Sequence, residues 1–199
     1  MRKVLLALAF AVALVPVPSI ARADLIFVTQ LTGAGENPPT TSPALGVATF
    51  TLNTALTEID FNISFGVDAG GPPLTSALTA GHIHFGMPGM NGPVILPFPN
   101  LPVGMTSGTF SGALTAANLT PAGSITTFAD AVAALEAGDT YTNLHTMNFP
   151  GGEIRGQNPA AAPVPELSSL TLLEVGLLGL LVYVGRLQIL CAAPISWQP

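Results

Sequence analysis

The segment EIDFNISFGVD, Glu58 to Asp68, alternates apolar and polar side chains: Ile59, Phe61, Ile63, Phe65 and Val67 against Glu58, Asp60, Asn62 and Ser64. Successive side chains on a strand point to opposite sides, so a period of two belongs to extended chain with one buried and one wet face. A helix would scatter the same residues around its circumference. LGVATFTLN repeats the pattern, with Ala48, Phe50 and Leu52 on one side. Leu25–Leu31, Ser76–Phe85, Pro93–Phe98, Gly108–Leu114, Thr140–Thr146 and Gly152–Gln157 are further strand candidates. Turn formers separate them: Asn37-Pro38-Pro39, Gly70-Gly71-Pro72-Pro73, Asn91-Gly92-Pro93, Pro121-Ala122-Gly123 and Pro150-Gly151-Gly152. TFADAVAALEA, Thr127–Ala137, departs from the rule with helical composition, Thr126 or Thr127 as cap and Gly138 as stop. About eight short strands and one brief helix predict an all-β fold, an antiparallel β-sandwich or barrel.

That domain occupies Asp24–Asn158, between two apolar ends. Met1–Ala23 has a charged start (Arg2, Lys3), an apolar run (Val4–Val15) and a small-x-small site (Ala21-Arg22-Ala23), the three parts of a secretory signal peptide. Export across the inner membrane, to the periplasm, cell surface or medium, is the expected localisation. After the domain come a Pro/Ala linker over 159–166 and a hydrophobic segment over 167–186, broken by Glu174 and closed by Arg186. Residues 187–199 form an irregular tail that carries the chain's only cysteine, Cys191. The layout VPELSSLTLLEVGLLGLLVYVGR resembles the PEP-CTERM sorting tail of Gram-negative bacteria, with Pro165-Glu166-Leu167 at the signal position. The resemblance implies a membrane-inserted helix, transient before processing by an exosortase.

With no cysteine inside Asp24–Asn158, the domain's stability rests on its core. Nine acidic residues stand there against one basic residue, Arg155, a net charge of −8 with histidines neutral. Such a surface repels phosphate backbones, which excludes nucleic-acid binding. The domain also lacks lysine, a phosphate-binding loop and a G-x-S-x-G elbow.

The remaining chemistry lies with the histidines, of which the chain has three. In GHIHFGMPGMNGP, His82 and His84 share one strand face while Ile83 and Phe85 take the other. With Ile83 and Phe85 in the core, both imidazoles point outward. In YTNLHT, Tyr141, Asn143 and His145 lie opposite Thr142 and Leu144, so His145 points outward as well. In GGEIRGQ, Ile154 faces in and Glu153 and Arg155 face out. If these strands are neighbours, three imidazoles converge on one ion. Two histidines at i and i+2 stand about 6.6 Å apart at Cα, and three nitrogens with an open position suit copper or zinc. Arg155 would draw a small anion, and Glu153, Asn143 or a backbone carbonyl would orient a ring. The alternatives are rings that only hydrogen-bond to loop backbone, and a plain Glu153–Arg155 ion pair holding the last strand.

The stretches LTGAGENPP, AGHIHFGMPGMNGPV and TYTNLHTMNFPGGEIRGQ resemble the CHRD domain, the chordin-type module also found in bacterial exported proteins. The resemblance implies an immunoglobulin-like β-barrel similar to copper–zinc superoxide dismutase, with biochemical activity unassigned. His82, His84, His145 and Arg155 occur in the order of that enzyme's H-x-H pair, later histidine and anion-guiding arginine. Its bridging histidine, zinc ligands and disulfide have no counterpart here. The expected function is therefore a non-enzymatic envelope or extracellular-matrix module. The alternatives are a three-histidine copper or zinc protein and a surface domain that binds a protein or polysaccharide matrix partner.

Overall fold

The computed structural model describes residues 23–161 and four helical residues, 176–178 and 180. Eight strands appear in chain order: β1 Leu25–Thr32, β2 Leu45–Leu52, β3 Ile59–Phe65, β4 Leu78–Phe85, β5 Val94–Pro97, β6 Gly108–Leu114, β7 Thr140–Thr146 and β8 Ile154–Gln157. Helix α1, Phe128–Ala137, lies between β6 and β7. All pairings are antiparallel, and they join the strands into one sheet of order β5-β4-β7-β8-β1-β2-β3-β6.

Alternation dictates which face closes on itself. Phe27 and Leu31 of β1, Ala48, Phe50 and Leu52 of β2, and Ile59, Phe61, Ile63 and Phe65 of β3 all point to one buried cluster. Their neighbours in sequence stay wet. The sheet curls until its two edges meet: Phe98, just after β5, lies 5.9 Å from Phe110 of β6 between ring centroids and 5.0 Å from Phe61. The Thr120 N–H, beyond β6, donates to the Ile95 carbonyl of β5 at 2.8 Å. The result is the expected all-β, nearly closed barrel. Each fully buried phenylalanine contributes roughly 2–3 kcal/mol of transfer free energy.

Helix α1 adds Phe128, Ala131, Val132 and Leu135 to the same core. Thr127 caps it by accepting from the Asp130 N–H at 3.2 Å, and Asp130 answers by accepting from the Thr127 N–H at 2.8 Å. The Thr126 N–H, followed by the Thr127 N–H and the two threonine hydroxyls, holds the exposed Asp130 carboxyl down at about 2. Gly138, in the left-handed region at φ 79°, ends the helix.

Several boundaries differ from the sequence reading, β5 by one residue at each end (Val94–Pro97 against Pro93–Phe98). β3 stops at Phe65 because Gly66 turns the chain at φ 65°, which leaves Val67 65% exposed. β4 begins at Leu78 and β8 at Ile154, so Ser76, Ala77, Gly152 and Glu153 belong to loops. The signal-peptide reading of residues 1–23 lies outside the described residues except for Ala23, and the same holds for most of the linker, the hydrophobic segment and the tail. No helix of the described residues is long and apolar enough to cross a membrane.

Candidate metal centre

β4 and β7 are neighbours, in a register that pairs His82 with Asn143, His84 with Tyr141 and Ala80 with His145. β8 continues the row, pairing Asn143 with Arg155 and Tyr141 with Gln157. The period-two rule then gathers His82, His84, Asn143, Tyr141, His145 and Arg155 on the face opposite Ile83 and Leu144, both of which lie in the core. The three imidazole centroids stand 5.1 Å (His82–His145), 5.6 Å (His82–His84) and 5.9 Å (His84–His145) apart. One ring nitrogen of each lies within 4.8 Å of the other two.

That face is not wet. Two loops cover it, and their carbonyls orient two of the rings: His84 Nδ1 meets the Gly92 carbonyl and His145 Nδ1 the Pro150 carbonyl, each at 3.0 Å. A carbonyl only accepts, so both Nδ1 atoms carry the proton and both Nε2 atoms keep a free lone pair. His84 Nε2, His145 Nε2 and His82 Nδ1 are buried without a partner. Burial is also the largest cause that lowers all three imidazole pKa values. His82 falls to about 4, with His145 and His84 adding to the effect; the carbonyls of Gly92 and Pro150 pull His84 and His145 back only in part. At neutral pH the cluster is three neutral imidazoles, the form that binds a metal. Three nitrogens around one ion at about 2.0 Å sit roughly 3.5 Å apart in a plane, so side-chain rotation of less than an ångström or so closes the observed set.

The covering loop is fastened from below. Arg155, expected to face solvent, is only 2% exposed. Its guanidinium donates to Asn91 Oδ1 and to the Met90 carbonyl, both at 2.8 Å, and its carbon lies 3.4 Å from the Tyr141 ring centroid. Tyr141 in turn stacks on His84 at 4.7 Å and 8°. The phenol accepts from the Gly92 N–H at 3.1 Å and donates to its carbonyl at 3.2 Å. Only glycine fits at position 92, because a Cβ there would stand 1.7 Å from the Phe85 carbonyl oxygen. The Asn91-Gly92-Pro93 turn thus supplies the acceptor for a candidate ligand as well as shaping the loop.

Glu153 is the clearest correction. Its side chain is fully buried, and the carboxylate accepts from Ser42 Oγ and the Thr75 N–H, each at 2.7 Å, and from Thr146 Oγ1 at 2.6 Å. It ties three segments together and backs neither a histidine nor Arg155. Lying just before β8, it escapes the strand alternation from which its outward direction was read. Carbonyls fill the ring-orienting role instead. Asn143 does sit among the imidazoles, but it donates to Glu36 Oε2 at 3.4 Å and leaves its own Oδ1 unpartnered.

Sequence reasoning missed Glu36. It belongs to the loop after β1, where no alternation assigns a face, and it was visible only as part of LTGAGENPP. The residue is 8% exposed, and burial pushes its carboxyl up to about 7 against the opposing pull of Arg155 and Asn143. A pocket of about 450 Å³ opens over it, lined also by Thr40, Asn148, Phe149, Pro150 and Gly152.

Comparison with known proteins gives one positive finding: the family model of the CHRD domain matches residues 27–158. No curated protein matches the chain, and no solved structure does.

Proposed function

The chain belongs to the CHRD domain family, and from that premise we propose that it is an exported module that holds one copper or zinc ion between His82, His84 and His145. The observation that carries this reading is the convergence of three imidazoles: one ring nitrogen of each lies within 4.8 Å of the other two, and one ring nitrogen of each is buried without a partner. A buried acceptor without a donor costs about 1–3 kcal/mol, and three around one point are accounted for by a cation. Copper is preferred because divalent copper heads the affinity order for nitrogen sites. The reading includes delivery by the N-terminal signal and sorting through the hydrophobic tail, and it requires no enzymatic step.

Elemental analysis of the purified protein after copper or zinc loading tests it. One metal per chain is expected, lost in a His82→Ala/His84→Ala/His145→Ala variant whose circular dichroism still reports the barrel. Metal no higher in the parent than in that variant overturns the reading.

A second reading has its own observation. On the outer face of β1, Ile26 and Val28 are 68% and 57% exposed, away from the histidines. These apolar side chains fit a role in binding a matrix protein. An Ile26→Asp/Val28→Asp variant that folds normally yet is no longer retained in the cell-surface fraction supports that role, and unchanged retention contradicts it.

A further inference from the structure

Five buried side-chain atoms among the described residues lack a hydrogen-bond partner, and only three are imidazole nitrogens. The other two are Glu36 Oε1 and Asn143 Oδ1. All five gather in one place. Asn143 is the cross-strand partner of His82 and lies two residues before His145 on the same face of β7. Glu36 reaches the Asn143 carboxamide from the loop after β1.

The carboxylate does not act as a fourth ligand. The set of ligand atoms within 4.8 Å of one another contains the three histidines and no acidic group. The Glu36 carboxylate therefore stands farther out than the ligands, where it and Asn143 Oδ1 would accept hydrogen bonds from something carried by the ion. Gly152, which sits at φ 128°, lets the backbone pack directly against both side chains. A Cβ at Gly152 would come within 2.4 Å of Asn143 Nδ2, 2.5 Å of Glu36 Oε1 and 2.6 Å of Asn143 Oδ1. Glu36 and Gly152 both line the 450 Å³ pocket, together with Pro150, whose carbonyl fixes His145. The pocket thus borders Glu36, while Glu36 Oε1 and Asn143 Oδ1 themselves lie buried beneath it.

We propose that Glu36 and Asn143 form the outer wall of the ion's open coordination position, and that this position selects small ligands carrying their own protons, water first, over bare anions. The inference rests on the three-histidine reading and deepens it. Both wall oxygens are acceptors, which reward O–H or N–H groups and repel an anion's lone pairs. The one guanidinium nearby, Arg155, spends its donors on Asn91 and Met90 rather than offering them at this wall.

The test uses the copper(II)-loaded protein at pH 8, with copper content measured first in wild type, Glu36→Gln and Gly152→Ala. Water-proton relaxation reports exchangeable water on the ion, and azide, followed by its charge-transfer band, is the anion probe. Full copper in all three is expected, with rapidly exchanging water on the wild type. Removing the carboxylate charge should tighten azide about tenfold, and the Gly152→Ala methyl should lower the water signal. Copper present with equal azide affinity in wild type and Glu36→Gln overturns the proposal. So does the absence of exchangeable water from the wild type, an arm that needs no variant to fold. A wild type that takes up no copper overturns the three-histidine reading itself, and the wall with it.

Discussion

Replacing Glu36 by Gln changes how the metal-free fold responds to acid, because Glu36 and the histidines pull stability in opposite directions. Burial raises Glu36 from 4.5 to about 7 and, with the charges of His145 and His84, lowers His82 from 6.5 to about 4. Glu36 holds its proton more tightly when folded, so its contribution is full below pH 4.5 and is lost as the pH rises through 7. His82 holds its proton less tightly when folded, so its contribution is present above pH 6.5 and is lost as the pH falls through 4. Each displacement is about 2.5 pH units, and at about 1.36 kcal/mol per unit roughly 2 kcal/mol of each falls between pH 7 and pH 5. Solvent at the open edge of His82 trims its share to about 1–2 kcal/mol. His84 and His145 share the sign of His82. In the wild type, Glu36 offsets part of the acid lability of the imidazoles. The Glu36→Gln variant should lose about 2 kcal/mol more than wild type between pH 7 and pH 5, read from urea unfolding in the presence of a chelator. Parallel stability curves for the two proteins would refute the reasoning.

Other substitutions probe the scaffold that positions the site. Arg155→Met removes two charge-assisted bonds to the covering loop and should cost about 2–4 kcal/mol, with hydrogen exchange at residues 87–92 rising before the barrel loosens. Gly92→Ala drives a methyl into the Phe85 carbonyl, and a loss of about 1–3 kcal/mol in thermal unfolding is expected. Phe61→Ala empties the contact with Phe98 and Phe110 and should cost about 3–5 kcal/mol in chemical denaturation, while leaving the three imidazoles able to take up metal at low temperature.

The barrel was legible because its strands announce themselves. Ile59, Phe61, Ile63 and Phe65 alternate so strictly that their burial follows from the pleat alone, and Thr127 and Gly138 mark the helix ends by their own chemistry. The shared face of His82 and His84 followed from the same rule. What the pleat could not show was cover. A face opposite the core reads as wet until loops are laid over it, and the loops carrying Gly92, Pro150 and Glu36 have no periodicity to place them. Arg155 and Glu153 were misjudged for that reason, one buried under a loop and the other one residue short of its strand. Glu36, whose carboxylate completes the polar cluster, comes from a Gly/Pro-rich segment that sequence alone describes only as a turn.

The central claim, one ion held by three imidazoles, is tested most directly by pulsed electron paramagnetic resonance of the copper(II)-loaded protein, counting the imidazoles coupled to the metal. Three coupled imidazoles are expected in the parent, falling to two in His145→Ala. A copper signal with one imidazole or none, unchanged by substituting His82, His84 or His145, would contradict the account.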